Sequence, residues 1–132
     1  MFSITMAAAA RDNDNFRKVL HTAGHTQVVV MTLAPGEDIG AEVHEHNDQV
    51  LIFTEGIGRA EVAGETRAVA AGDLVVVPAG TEHDFTNTGD GPLRLLTIYG
   101  PPDHADGVVH ATKAEAEAAE AAGEDEPPAE HD

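Results

Sequence analysis

The sequence contains no cysteine and no tryptophan, and only 4% of its 132 residues are aromatic. Without cysteine there can be no disulfides and no thiolate metal ligands, so any bound metal must use histidine, carboxylate or amide groups. Because large rings are scarce, Val, Leu, Ile and Ala must fill the interior. The apolar share of 42% is sufficient for one core, and the length suits a single domain.

Basic residues are also scarce, because 7 lysines and arginines face 24 acidic residues and leave a formal net charge of −17. Eight of those acids follow Lys113, in a stretch without lysine or arginine. Such a charge repels phosphate backbones and anionic lipid, so we expect no nucleic acid partner and no membrane partner.

A long apolar run is missing as well. The first ten residues are mostly apolar, but they have no basic flank and are followed by Arg11. This stretch is too short for a transmembrane helix and untypical of a signal peptide. We therefore expect a cytoplasmic protein.

Short β-rich runs separated by turn residues fill the middle of the chain. About eight such runs follow one another at intervals of roughly eight to twelve residues, which is typical of a sandwich or barrel. No segment resembles a βαβ unit. The predicted strands are 27–33, 41–46, 49–53, 59–62, 66–69, 74–77, 81–86 and 93–99.

Four segments are predicted along the chain. Residues 1–26 form an N-terminal arm, 27–100 the all-β barrel core, 101–123 a loop with a short helix, and 124–132 a disordered acidic tail rich in proline. Thr112 and Glu115 have the spacing of a capping box, which marks the start of the C-terminal helix.

Two histidines are the first candidates for chemistry. His44 and His46 are separated by one residue in a predicted strand, so both rings point to the same side and align two nitrogen ligands. The same alternation places Glu42 on that side. Such a pair also arises by chance in a chain with eight histidines, so the spacing alone does not establish a metal site.

A longer motif gives the pair its context. The run Gly72-x5-Pro78-x-Gly80-x2-His83-x3-Asn87 resembles the second motif of the cupin superfamily at every fixed position. The first motif of that family, His-x-His followed by Glu and a later Gly, corresponds to His44-Glu45-His46, Gln49 and Gly56, with Gln in place of Glu and one residue sooner. Over about residues 27–100 the chain is therefore similar to small single-domain bacterial cupins of the RmlC-like type.

This resemblance implies a double-stranded β-helix, or jelly-roll, barrel that binds one divalent transition metal, with Fe, Mn, Ni and Zn not distinguished. It places the ligands at His44, His46, Gln49 and His83. Amide in place of carboxylate at Gln49 leaves the site one charge unit more positive. It also removes the residue that some cupin enzymes are thought to use as a general base. His83 could alternatively be a structural histidine near a turn.

Alternation from these ligands predicts a mostly apolar substrate pocket. Glu42 is its one carboxylate and our candidate catalytic group for proton transfer. The other predicted lining residues are Leu51, Phe53, Phe85, Met31 and Tyr99.

The resemblance implies a metal-dependent enzyme, of the dioxygenase or isomerase type, that acts on a small organic molecule ligating the metal through oxygen. The alternatives are a non-catalytic small-molecule binding or sensing module and a structural role with an empty chamber. We expect a homodimer in which the arm crosses to the second subunit. The remaining histidines are predicted at the surface, with the alternative that His104 or His110 lines the barrel mouth: His21, His25, His104, His110 and His131.

Overall fold

The computed structural model describes residues 1–128. Within that range the chain forms two helices and nine strands. In chain order these are α1 (Met6–Arg11), β1 (Arg17–Thr22), β2 (Gln27–Leu33), β3 (Asp48–Glu55), β4 (Ile57–Val62), β5 (Glu65–Ala70), β6 (Leu74–Val77), β7 (His83–Asn87), β8 (Leu93–Gly100), β9 (Val109–His110) and α2 (Lys113–Ala121). The predictions for His131 and for the last four tail residues lie outside the described residues.

Two antiparallel sheets make up the barrel. The larger has the order β6-β3-β8-β2-β1-β9 and the smaller has the order β5-β4-β7. Non-consecutive strands such as β3 and β8 are neighbours, as a jelly roll requires. The predicted all-β jelly-roll fold with a short C-terminal helix is confirmed.

Strand alternation fills the space between the sheets. β3 buries Gln49, Leu51 and Phe53, while β7 buries His83 and Phe85. Their polar members therefore share the inward faces with large apolar side chains. This arrangement brings the amide of Gln49 and the ring of His83 into the interior.

Turn residues of the two motifs have structural roles. Gly56 has a φ of +92°, and a Cβ there would overlap the carbonyl oxygen of Pro92, so this turn requires glycine. Asn87 donates from its amide to the carbonyl oxygens of Leu33 (2.9 Å) and Gly91 (2.8 Å). Both residues shape the barrel, as the sequence predicted for Asn87.

The strand predicted over 41–46 is wrong. This segment lies beside β7 and pairs with it through the isolated bridge between Glu42 and His83. Gly40 has a φ of +106°, and its amide donates to the side chain of Asp84 at 3.0 Å instead of to a neighbouring strand. The interrupted ladder means that the residues after Glu42 do not alternate between two faces.

The N-terminal segment contributes to the larger sheet. β1 pairs with β2 on one side and β9 on the other, and Ala10 of α1 packs against Val30 and Leu96 of the same chain. The boundary at residue 26, which the sequence suggested between arm and barrel, therefore falls between two paired strands.

Helix α2 begins at the predicted capping box. The Thr112 hydroxyl accepts a hydrogen bond from the Glu115 amide at 3.2 Å, and the Glu115 carboxylate accepts one from the Ala111 amide at 2.8 Å. Of its residues Ala116 is buried, so apolar packing contributes little to docking. Within residues 1–128, no helix has the length and apolar character needed to cross a membrane.

An ion pair adds to the docking of α2. Lys113 pairs with Asp38 and lowers the pKa of Asp38 through that hydrogen bond. Burial and a hydrogen bond with Asp38 raise the pKa of the neighbouring Asp84 from 3.8 to about 6. The folded state therefore binds this proton more tightly than the unfolded state. Protonated Asp84 therefore adds to the free energy of unfolding. This contribution is fully present below pH 3.8, the pKa of Asp84 in the unfolded chain, and is lost as the pH rises through about 6.

The variant Asp84→Asn should remove this pH-dependent loss. Its amide oxygen can still accept from Gly40, but the variant carries no charge to repel Asp38. We expect its free energy of unfolding to exceed that of the wild type at about pH 7.5, with a smaller difference at about pH 4.5. Urea unfolding followed by circular dichroism at both pH values measures this, and an equal difference at the two pH values would contradict the coupling.

Candidate functional site

His83 offers a nitrogen to the interior. Its Nδ1 lies 2.9 Å from the carbonyl oxygen of Thr81, and because a carbonyl only accepts, Nδ1 carries the proton. In the neutral ring Nε2 then has a free lone pair for a metal. The backbone bridge to Glu42 brings that carboxylate to the same end of the smaller sheet.

Three side chains converge at this point. Glu42, His44 and His83 each bring one ligating atom to within 4.8 Å of the others. His44 Nε2 is 2.9 Å from Glu42 Oε2, and the ring centroids of His44 and His83 are 5.1 Å apart. Two imidazole nitrogens and one carboxylate oxygen are a donor set suited to a divalent transition metal.

Gln49 has a spare acceptor in the interior. Its amide nitrogen donates to the hydroxyls of Thr97 at 2.9 Å and Tyr99 at 3.2 Å. Both N–H groups are thereby used, while Oε1 is buried with no hydrogen-bond partner among the described residues. A buried acceptor without a partner is costly, and a metal ion would remove that cost. Tyr99, which accepts from Gln49, also packs its ring edge-on against His44 at 5.7 Å. The two imidazoles, the carboxylate and the unpartnered amide oxygen together fit a divalent metal.

His46 lies differently from the other predicted ligands. It is exposed, and it sits in a bend instead of a strand. Alternation therefore does not align it with His44, and it is absent from the converging group of described residues. Its role as a ligand stays a prediction.

His44 is flanked by two carboxylates. Its Nε2 faces Glu42, and its Nδ1 is 3.4 Å from Asp103 Oδ1. Burial lowers the pKa of His44, but the hydrogen bonds with Asp103 and Glu42 outweigh it and raise the pKa to about 10. Without metal the ring is thus an imidazolium at neutral pH. A metal that binds Nε2 must displace that proton.

Sequence reasoning missed a buried polar network next to His44. Asp103 Oδ2 is 3.5 Å from His104 Nε2, and His104 Nδ1 is 2.7 Å from Asp125 Oδ2. Arg17 lies 4.0 Å from the same Asp125 oxygen. The available signal was the pair Asp103-His104, which directly follows two prolines at the end of the last long strand.

Three predictions around this network are wrong. His104 and His110 were expected at the surface but are 6% and 8% exposed, because the loop after β8 folds back and β9 pairs with β1. Asp125 was placed in a disordered tail, yet its side chain is 5% exposed and accepts from the Ala105 amide at 2.8 Å. His21 and His25 are exposed, as predicted.

A polar cavity of about 370 Å³ adjoins the converging group. Its lining residues include Glu42, His44, Asp103, His104 and Asp125. The predicted pocket residues lie instead in the packed core, each at most 2% exposed. Their contact with a substrate stays a prediction for Leu51, Phe53, Phe85, Met31 and Tyr99.

Comparison with known proteins gives a consistent result. The family model described as "Cupin domain" matches residues 29–99. The uncharacterized protein YrkC of Bacillus subtilis is 43% identical over 125 residues, which cover 90% of this chain and 67% of YrkC. The chain spans about two thirds of the length of such curated relatives.

Solved structures also match. The crystal structure of BH2720 from Bacillus halodurans is 40% identical with a TM-score of 0.87, covering 89% of this chain and 93% of that one. The predicted oxalate decarboxylase of Thermotoga maritima is 26% identical with a TM-score of 0.56, covering 58% of this chain and 66% of that one.

Proposed function

Because this chain belongs to the cupin family, we propose that it binds one divalent transition metal and acts on a small organic molecule that ligates the metal through oxygen. The observation that carries this proposal is the convergence of Glu42, His44 and His83, whose ligating atoms lie within 4.8 Å of one another. The unpartnered oxygen of Gln49 supports it. Fe, Mn, Ni and Zn all suit such a nitrogen and oxygen donor set.

The candidate ligands are Glu42, His44 and His83, with Gln49 as a weak oxygen ligand and His46 as the ligand that only the motif suggests. Glu42 supplies the carboxylate that the motif lacks at Gln49. One metal charge is then neutralised at the site, which offsets the additional positive charge expected from the amide at Gln49.

A bound metal would supply Lewis acidity for an oxygenase or isomerase reaction. The protein's own contribution centres on Glu42, which has two oxygens: one can ligate while the other accepts or returns a substrate proton. His44 and Asp103 line the same cavity as Glu42. The similar Thermotoga protein, described as a predicted decarboxylase of a small acid, supports the small-molecule proposal.

A second candidate is a binding or sensing module without turnover. The amide at Gln49 favours it, because an amide cannot act as a general base. In this case the cavity would bind its ligand and release it unchanged.

Turnover separates these two candidates. Protein loaded in turn with each metal would be screened for oxygen consumption and for isomerisation of small keto acids, enediols and sugars. For an active substrate, Glu42→Gln should lower kcat by about 10²–10⁴-fold, whereas Glu45→Gln, at an exposed neighbouring position, should leave it unchanged. Binding of a screened compound without turnover would support the module, and equal activity of both variants would exclude Glu42 as the proton-transfer group.

We propose a small molecule as the partner, and we propose neither nucleic acid nor membrane because the net charge is −17. A cytoplasmic location stays a prediction, as does the homodimer. In the single chain described, helix α1 of the arm that was expected to cross to a second subunit packs on its own sheet.

A further inference from the structure

A histidine that binds a metal through one nitrogen usually donates from the other nitrogen to a fixed acceptor. This donation sets the tautomer and the ring orientation, and it makes the ligating nitrogen more basic. His44 presents Nε2 to the converging group through its 2.9 Å contact with Glu42. Its other nitrogen, Nδ1, is 3.4 Å from Asp103 Oδ1. Asp103 thus occupies the place of the acceptor.

The backbone around Asp103 is held on two sides. The amides of Asp103 and His104 both donate to Gln27 Oε1, at 3.1 Å and 2.9 Å, and Gln27 is fully buried. On the other side, Asn47 donates to the carbonyl oxygens of the two preceding prolines. Such a fixed backbone can keep a carboxylate at a constant distance from a ring.

The side chain of Asp103 faces His104, which the C-terminal segment holds. Its Oδ2 is 3.5 Å from His104 Nε2. The opposite nitrogen of His104 contacts Asp125 Oδ2 at 2.7 Å. Asp125 follows α2 in the chain, and its second oxygen accepts from the Ala105 amide at 2.8 Å. The segment after α2 therefore reaches His44 through a series of polar contacts, in which the step from His104 to Asp103 is an ion-pair distance of 3.5 Å and not a hydrogen bond.

We propose that Asp103 is a positioning residue for His44, and that Asp125 supports it through His104, so that the segment after α2 helps to set the metal affinity of the site. The inference rests on the proposed function, since it assigns residues that act on the same metal. Neither aspartate touches the metal; each acts through a histidine.

The test measures zinc affinity of the full chain by competition with a chromogenic chelator. Asp103→Ala should weaken affinity by about 10–100-fold. Asp103→Asn should recover part of that loss, because the amide oxygen still accepts from Nδ1. Asp125→Ala should give a smaller loss. Asp106→Ala is the matched control, since Asp106 is an exposed carboxylate in the same loop and should bind zinc as the wild type does.

A spectroscopic readout separates positioning from general damage. In the zinc-loaded wild type, long-range 1H–15N correlation of the His44 ring should show the proton on Nδ1. In the metal-free protein the Nδ1 resonance should shift in Asp103→Ala and not in Asp106→Ala. Thermal unfolding of each variant checks that it is folded, and if Asp103→Ala fails to fold, Asp103→Leu, which is similar in size and has no acceptor for Nδ1, carries the same comparison.

Different outcomes overturn different claims. If the wild type binds no metal at all, the proposed function fails. If the wild type binds zinc and Asp103→Ala binds it as tightly as Asp106→Ala does, the positioning role of Asp103 fails while the metal site stands. If Asp125→Ala matches the control although Asp103→Ala is weakened, the contribution of the C-terminal segment is excluded.

Discussion

Replacing His83 with alanine is expected to abolish metal binding under ordinary conditions. His83 is one of three converging groups, and it is the member of that group that a regular strand, β7, holds. The hydrogen bond from its Nδ1 to Thr81 at 2.9 Å keeps Nε2 free to ligate. Losing a direct ligand should cost more than the roughly 10–100-fold that loss of an outer-shell partner costs.

Metal content of His83→Ala, purified without chelator and measured by elemental analysis, should therefore be far below that of the wild type. The matched control is His25→Ala, which removes an exposed histidine and should retain the wild-type metal content. Retention of metal by His83→Ala would refute the ligand set.

The variant His46→Ala tests the remaining prediction, that the exposed His46 is also a metal ligand. A loss of metal as large as that of His83→Ala would assign His46 as a ligand.

Replacing Phe85 with alanine is expected to cost about 3–5 kcal/mol of unfolding free energy. Its side chain is fully buried, and its ring lies 5.9 Å from that of Phe53 and 6.0 Å from that of His83. Truncation leaves a cavity between the two sheets, because the rigid strands on each side cannot close it. The same ring supports His83, so metal affinity should fall as well.

Urea unfolding measures this loss. Ile57→Ala serves as the control because Ile57 is 53% exposed, and it should change the unfolding free energy by less than about 1 kcal/mol. An effect of Phe85→Ala as small as that of the control would mean that Phe85 does not fill the core, and it would contradict the packing between the sheets.

Much of the barrel could be predicted because local patterns decide it. β2 and β6 have the predicted bounds, since alternating or continuous apolar runs between turn residues can form little else. The turn at Gly56 requires a positive φ and close approach of Pro92, so the motif glycine reflects a steric need. Thr112 caps α2 through a hydrogen bond with Glu115, which is only three residues away in the sequence.

The missed features depend on distant contacts. The segment at 41–46 has the composition of a strand, but Gly40 turns it away from a continuous ladder with β7. β1 pairs with the adjacent β2 on one side, but its other partner, β9, lies about 90 residues further on. No local pattern indicates that Asp125 contacts His104, because that contact exists only once α2 has docked.

Part of the site could be predicted from local patterns, and the rest depends on contacts between residues that are distant in the sequence. The motif identified His44 and His83, and alternation pointed to Glu42, although the strand assumed for that step is absent. An exposed His46 and a carboxylate supplied by Glu42 follow from the path of the chain after Gly40, which the sequence does not reveal.

Anomalous X-ray scattering from crystals of protein purified without chelator, collected at the Fe, Mn, Ni and Zn edges, tests the central claim most directly. We expect one anomalous peak about 2.0–2.3 Å from Nε2 of His44, Nε2 of His83 and an oxygen of Glu42. A peak held by other residues, or no peak at any of these edges after soaking with each metal, would contradict it.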